Sequence, residues 1–441
     1  MCRTPHPSIL GRPLTPEERR ASQRNYGRFC FVNGASYMCL GENVLILFAA
    51  NLGAPNAVVS LLGAMLFVGY AMLPLGVRET ARKGAARSLA DFWVARNAAA
   101  LFTASAAIVA CVSATASWAV LLVGSLLFYG CRAAGTVMGT PLVGDISSPD
   151  EAPETFGRSQ ALFNASAVAT LAAITAVTAR WHGTAVLAGI IAIGSCLGVT
   201  ASHFMRGIRE TGDVMLAARR PLLPGIRAAS RNPDVRRLAV AWTLLNLSTI
   251  MMLPMSMLAL KRGCGFGDSA ALVCACAQFG AGVFASWGSG RLCRRFGARA
   301  VLVAIAAGYA VVPAFWLAMP SGGAAAVAAG VAFFLWLGGL YTVMQNAAPS
   351  YFLVACPDKT EQVAGSVGIN LATGVGSGLL GSFLGSWLVT VSGQWAPQIS
   401  DATGLSMLLS GDIGVFRLYF LLLLPLLAAT ILSTLHLRKR K

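Results

Sequence analysis

The sequence predicts an all-α integral membrane protein, with about twelve transmembrane helices in two pseudo-symmetric six-helix halves. Three observations carry that expectation. Apolar stretches of roughly 20 residues recur along the chain, each long enough to cross a bilayer as a helix. Basic residues fall almost wholly in alternate gaps between the stretches. The two halves also echo one another at a nearly constant offset.

The stretches run near 28–50, 56–77, 97–113, 118–141, 159–179, 184–205, 238–258, 269–288, 299–319, 323–349, 361–390 and 414–436. Helices are the natural form, because a lipid-exposed backbone must satisfy its own hydrogen bonds. With the amino terminus inside, 29 of the 34 basic residues lie on the inner side. Arg180, Lys261, Arg262 and Arg417 lie outside, and Arg132 falls within the fourth stretch. Positive residues are retained on the cytoplasmic face, so both termini are expected there, in the cell (inner or plasma) membrane. The expected organisation is a cytoplasmic tail (1–27), a six-helix half (28–205), a cytoplasmic linker (206–237), a second six-helix half (238–436) and a basic tail (437–441). The linker is assigned from its eight arginines and from Pro221, Pro224 and Pro233.

Composition narrows the function. The chain is 56% hydrophobic and 12% charged, which excludes disorder and argues against an ordinary soluble fold. Its net charge of +17 sits in short gaps between stretches, so nucleic acid is not expected as a partner; the bilayer is. The eleven cysteines show no metal-ligand spacing. Cys39, Cys111, Cys131 and Cys196 fall in apolar stretches, and Cys264 alone is placed clearly in an outer loop. Residues 1–27 lack the apolar core of a signal peptide and are read as a retained tail. No cofactor is expected. No Gly-x-Ser-x-Gly or His-Glu-x-x-His motif occurs, and His6, His182, His203 and His436 are scattered, so an enzyme is not expected.

The halves repeat at an offset of 208: Arg28 and Arg236, Pro141 and Pro349, Pro149-Asp150 and Pro357-Asp358. Asn164 and Asn370 follow after a two-residue slip. Such matches suggest a parallel repeat. Between the eighth and ninth stretches the chain reads Gly290-Arg-Leu-Cys-Arg-Arg-Phe-Gly297-Ala-Arg299. This resembles the cytoplasmic loop signature of the major facilitator superfamily at Gly290, Leu292, Arg295, Gly297 and Arg299, with Arg294 where that signature has aspartate. In the first half, 78–96 is the equivalent basic loop, with Gly76, Gly84 and Leu89-Ala90-Asp91 at altered spacing. Arg132, Gly135 and Gly139 resemble the second signature of the family. The resemblance covers about residues 25–437. It implies transport of a small solute, a cytoplasmic gate at 290–299 and a monomer.

Glu42 is the sharpest candidate for chemistry. A carboxylate inside an apolar stretch costs about 2.5 kcal/mol or more on insertion scales, so it faces a cavity or a partner. The family fold lines its cavity with the first, fourth, seventh and tenth helices, which makes Arg132 the natural partner. The two differ in expected depth by roughly 9 Å, a gap that long side chains or one water can bridge. At the 208 offset Glu42 maps to Ile250 and Arg132 to Leu340, so the shared fold does not require either charge. Some proton-coupled members of the family pair such residues, which implies protons as partners and a symporter. Further cavity candidates are Asn33, Tyr37, Asn43, Trp242, Asn246, Trp336, Tyr341, Gln345 and Asn346. Met251 and Met255, in a methionine-rich run around Pro254, are a weaker candidate for a soft metal such as Cu(I). The charged residues Asp145, Asp150, Glu151, Glu154 and Arg158 form either a gate contact to 78–96 or a solvated turn. The expectation is therefore a secondary active carrier, proton-coupled through Glu42 with Arg132. The alternatives are a uniporter or exporter of an amphiphilic compound, a copper importer, and a transporter-like membrane sensor.

Overall fold

A computed structural model describes residues 8–438 apart from 182, 404–408 and 410. Those residues are almost entirely helical, and the only strand-like pairing among them is a parallel bridge between Ile9 and Glu210. Ten helices are long and apolar enough to cross a membrane among the described residues. The second and eighth expected spans are helical as well. They are α3 (Asn56–Val68) running through a 3-10 turn into α4 (Leu73–Lys83), and α14 (Asp268–Phe296).

The chain divides into two compact units, one of residues 1–232 with 353–371, the other of 233–352 with 372–441. In the first unit α1 (Pro16–Leu40) packs on α9 (Ala152–Arg180) and α10 (Thr184–Arg206). Helix α5 (Ala85–Ala104) packs on α7 (Ala114–Thr136) and α10. Two short helices follow α10, α11 (Asp213–Ala218) and α12 (Leu222–Arg231). The region expected to be a linker is thus partly helical, and α18 (Lys359–Asn370) packs against both short helices. In the second unit α13 (Pro233–Leu258) packs on α19 (Ser377–Thr403) and on the last helix, α21 (Leu424–Leu435).

Several local features differ from the sequence expectation. Helix α1 starts at Pro16, well before residue 28, because Thr15 and Glu18 form a reciprocal capping box. The first span then breaks at Gly41, an intrinsically poor helix former that here adopts an extended backbone (φ −66°, ψ 166°), and restarts as α2 (Glu42–Asn51). The third span begins at Ala85 rather than 97, which moves Arg96 out of the expected basic loop and into the body of α5. Arg417 is likewise not in an outer loop: it is buried in α20 (Gly411–Leu422) and donates to the carbonyls of Trp316 and Met319. Pro254 lies inside α13 without ending it, and a π-helical turn at 259–263 follows.

Glycines set the loop-side turns of both units. Gly84 (φ +88°) separates α4 from α5, and Gly297 (φ +81°) separates α14 from α15 (Ala298–Ala310). A positive φ is costly for any residue with a Cβ, so glycine is required at both. The signature loop near 290–299 and its altered first-half counterpart therefore fold into the same kind of turn.

Candidate functional site

Three helices of the first unit converge on a pair of arginines. Helix α1 offers Asn33, Ser36 and Tyr37, which share one face by their i, i+3, i+4 spacing. Helix α5 offers Trp93 and Arg96 at i, i+3, and α7 offers Phe128 and Arg132 at i, i+4. Arg96 is fully buried. Its Nη1 donates to Asn33 Oδ1 at 3.3 Å and its Nη2 to Ser36 Oγ at 3.1 Å. The Trp93 indole donates to the same Asn33 oxygen at 2.9 Å, and the Ser36 hydroxyl donates to the Gly194 carbonyl at 2.8 Å.

No carboxylate balances that guanidinium among the described residues. Its Cζ lies 4.4 Å from the Trp93 ring centroid and 5.2 Å from that of Phe128, and its Nε has no hydrogen-bond partner. A desolvated cation over an aromatic face gains about 2 kcal/mol. Removing an ion from water costs several. The arrangement holds a positive charge in the interior with only neutral partners. Arg132 is half-buried, its Cζ 4.9 Å from the Tyr37 ring centroid, and its charge acts on that of Arg96. Tyr37 packs on Phe163 at 5.8 Å, and Trp93 on Phe29 at 5.3 Å.

Asn33, Tyr37 and Arg132, all expected as site residues, thus come together. Glu42 opens α2 one residue beyond the Gly41 break; its side chain and that of Asn43 lie outside the described residues. Arg96, Ser36 and Trp93 are additions. Their signal was present in the sequence: Trp93-x-x-Arg96 is a helical spacing, and the apolar pattern of the third span extends back past residue 97.

The candidates of the second unit occupy varied settings. Asn346 is buried and donates to Ser289 Oγ at 2.8 Å, while Asn246 donates to the Trp242 carbonyl one turn back at 2.9 Å. Trp336 is half exposed, and Tyr341 and Gln345 are partly buried. At the signature loop Gly290 is buried, Leu292 is exposed, and Arg295 lies beside the Phe296 ring at 5.2 Å. Arg294 is exposed. Arg299 donates to the carbonyls of Leu435 and Leu437 and so caps the last helix. Met251 is buried with its carbonyl accepting from Tyr419, and Met255 is partly buried. Cys111, expected within a span, lies exposed in the turn before α7, and Cys264 is buried.

The loop side of the first unit holds a second polar cluster. Glu210, fully buried, accepts from the backbone N–H groups of Ala85 (2.8 Å) and Ala86 (2.9 Å) at the start of α5. Burial pushes its carboxyl up to about 7, against the opposing pull of those two donors. Asp145 accepts from the backbone and hydroxyl of Thr211. Glu151 pairs with Arg19 at 3.6 Å. Asp91 binds Lys83 and Arg206. These contacts tie the turn after α10 to the start of α5.

The first unit is thus a bundle of membrane-length helices with an arginine pair among its spans. The sequence profile of the Major Facilitator Superfamily matches residues 29–371, so the chain belongs to that superfamily. No curated protein matches the chain. Its fold is similar to that of the E. coli fucose:proton symporter FucP, at 11% identity, TM-score 0.66, with 95% of this chain and 98% of that one covered. It is also similar to the human organic anion transporter MFSD10 (TETRAN), at 15% identity, TM-score 0.64, with 96% and 100% covered. The proton:xylose symporter XylE aligns at 10% identity, TM-score 0.65, with 96% and 95% covered. Identities this low show a common fold alone.

Proposed function

We propose that this protein is a secondary active carrier of a small solute, working by alternating access and coupled to protons through Glu42 with Arg132. It is expected to act without enzymatic chemistry, as a monomer in the cell membrane with both termini cytoplasmic. The observation that carries this reading is the charge distribution of the first unit. The helical carboxylates Glu17, Glu18, Glu79, Asp91, Asp145 and Glu154 sit at helix ends or in loop-side ion pairs. Glu42 falls within the first span, at the start of α2 just beyond the Gly41 break, while α1 before the break carries Tyr37 under Arg132.

In this mechanism ionised Glu42 is held by the field of the arginines. Protonation removes the negative charge and leaves Arg132 for another acceptor, which changes the relative stability of the two access states. Coupling follows only if the proton binds the two states with different affinity.

Proteoliposomes carrying an internal pH dye test the reading. Wild-type protein offered sugars, nucleosides and organic acids in turn should acidify the lumen with one solute class, and Glu42→Gln should take up that solute without the proton. Equal solute uptake without acidification in both proteins would remove Glu42 from coupling and leave a uniporter.

A further inference from the structure

We propose that Arg132 and Arg96 form an anion-binding subsite, so that the transported solute carries a carboxylate, phosphate or sulfonate group. This rests on the carrier reading above and names its substrate class.

The argument is a charge count in a poorly hydrated place. Among the described residues, the middle of the first unit's spans carries two guanidiniums, buried Arg96 and half-buried Arg132, and no carboxylate, since buried Asp145 lies at the loop-side end of its span; the sequence of the first span adds Glu42. Counted over Arg96, Arg132 and Glu42, the sum is +1 with Glu42 ionised and +2 with it protonated. Arg96 cannot shed its proton to relieve this. Its neighbours Asn33 and Ser36 are neutral acceptors, and its Nε has no partner among the described residues. Low dielectric strengthens the attraction such a pair exerts on an anion. Half-buried Arg132 is the contacting residue, with its planar fork suited to a carboxylate or phosphate. Fully buried Arg96 is a positioning residue: it is locked by Trp93, Phe128, Asn33 and Ser36 and supplies field from behind.

The arrangement also fits proton coupling. When Glu42 is ionised it competes with a substrate anion for the arginines; when it is protonated the full +2 is available. Proton and anion then bind with positive cooperativity, and protonation exchanges one negative group for another at little net cost in charge.

The test separates binding from transport. Purified protein in neutral detergent would be melted with benzoate, succinate and glucose 6-phosphate, and with xylose, mannitol and uridine as neutral probes. At least one anion should raise the melting temperature at millimolar concentration, more at pH 5.5 than at pH 8, whereas the neutral probes should not. Arg132→Gln should weaken that anion at least about tenfold, as expected for loss of a charge-assisted hydrogen bond, with partial recovery in Arg132→Lys. Arg96→Gln should weaken it too, and Arg96→Lys, which keeps the charge, covers the case in which the glutamine variant does not fold. Protection by a neutral probe that survives Arg132→Gln overturns the proposal, as does the absence of protection by any anion. Stabilisation by phosphatidylglycerol but by no soluble anion overturns it in favour of a lipid headgroup site. Counterflow in neutral-lipid vesicles then addresses the carrier reading by itself. An anion that binds through Arg132 but is never moved sinks the carrier and leaves the subsite; a neutral solute moved equally by Arg132→Gln sinks the subsite and leaves the carrier.

Discussion

Arg96 shows how a single side chain separates scaffold from function. A buried ion whose described partners are all neutral is a poor way to stabilise a helix bundle, because desolvation exceeds what two neutral acceptors and two rings return. Replacing it strands nothing: Asn33 keeps the Trp93 indole N–H, and Ser36 keeps the Gly194 carbonyl. Arg96→Met is therefore expected to melt at or above the wild-type temperature in detergent while losing anion affinity. A fall of several degrees would assign the arginine to the scaffold. The sequence did expose Asn33, Tyr37, Glu42 and Arg132, since polar residues interrupting an apolar stretch are visible without a structure. Arg96 was hidden because it lies close to a genuinely basic loop, and counting charges cannot tell the last loop residue from a residue three turns into a helix.

At the scale of the element, α5 carries both Trp93 and Arg96, and its start is held by Glu210. Gly84 turns the chain with a positive φ, and the Glu210 carboxylate takes the first free N–H groups of the helix. Because burial raises this carboxyl from the ordinary 4.5 to about 7, the folded state binds the proton more tightly than the unfolded chain does. Its stabilising contribution is complete below 4.5 and is lost as pH rises through 7. The melting temperature in detergent should thus fall between pH 4.5 and 7, and Glu210→Gln should flatten that slope. A wild-type profile no steeper than that of the variant would refute the assignment. Glu210→Ala leaves two buried donors unmet and is expected to cost about 1–3 kcal/mol. A second element feature is the break at Gly41, which places Glu42 at the start of a half-helix, where the helix dipole favours negative charge.

For the whole molecule, the alternation of basic loops with apolar stretches predicts which face each turn occupies. Cys111 supplies a native probe, since it is exposed in the turn between α6 (Ala106–Val109) and α7 on the expected outer face. An impermeant maleimide added to intact cells should label wild-type protein and not Cys111→Ser, whereas a cysteine introduced at Arg24 should react only after the membrane is opened. Labelling of the Arg24→Cys site in intact cells would invert the topology. The division of the chain also differs from a simple cut at the linker. Residues 353–371 belong with the first unit, where Lys359 donates to the Gly144 carbonyl at 2.8 Å and Ser366 to that of Val137 at 2.8 Å.

What the sequence determined by itself was the class of fold, the approximate spans and the family. Each of these follows from local composition: apolar length, loop charge, and short motifs such as Gly290–Arg299, all read within a few residues of one another. What only the tertiary structure decided was company. That Trp93 and Arg96 meet Asn33 and Ser36 across 60 and more positions, that Glu210 reaches back to cap α5, and that Arg417 closes a neighbouring helix end are contacts between distant segments. Packing sets them, and packing depends on which helix faces lie together, a quantity that no local pattern encodes.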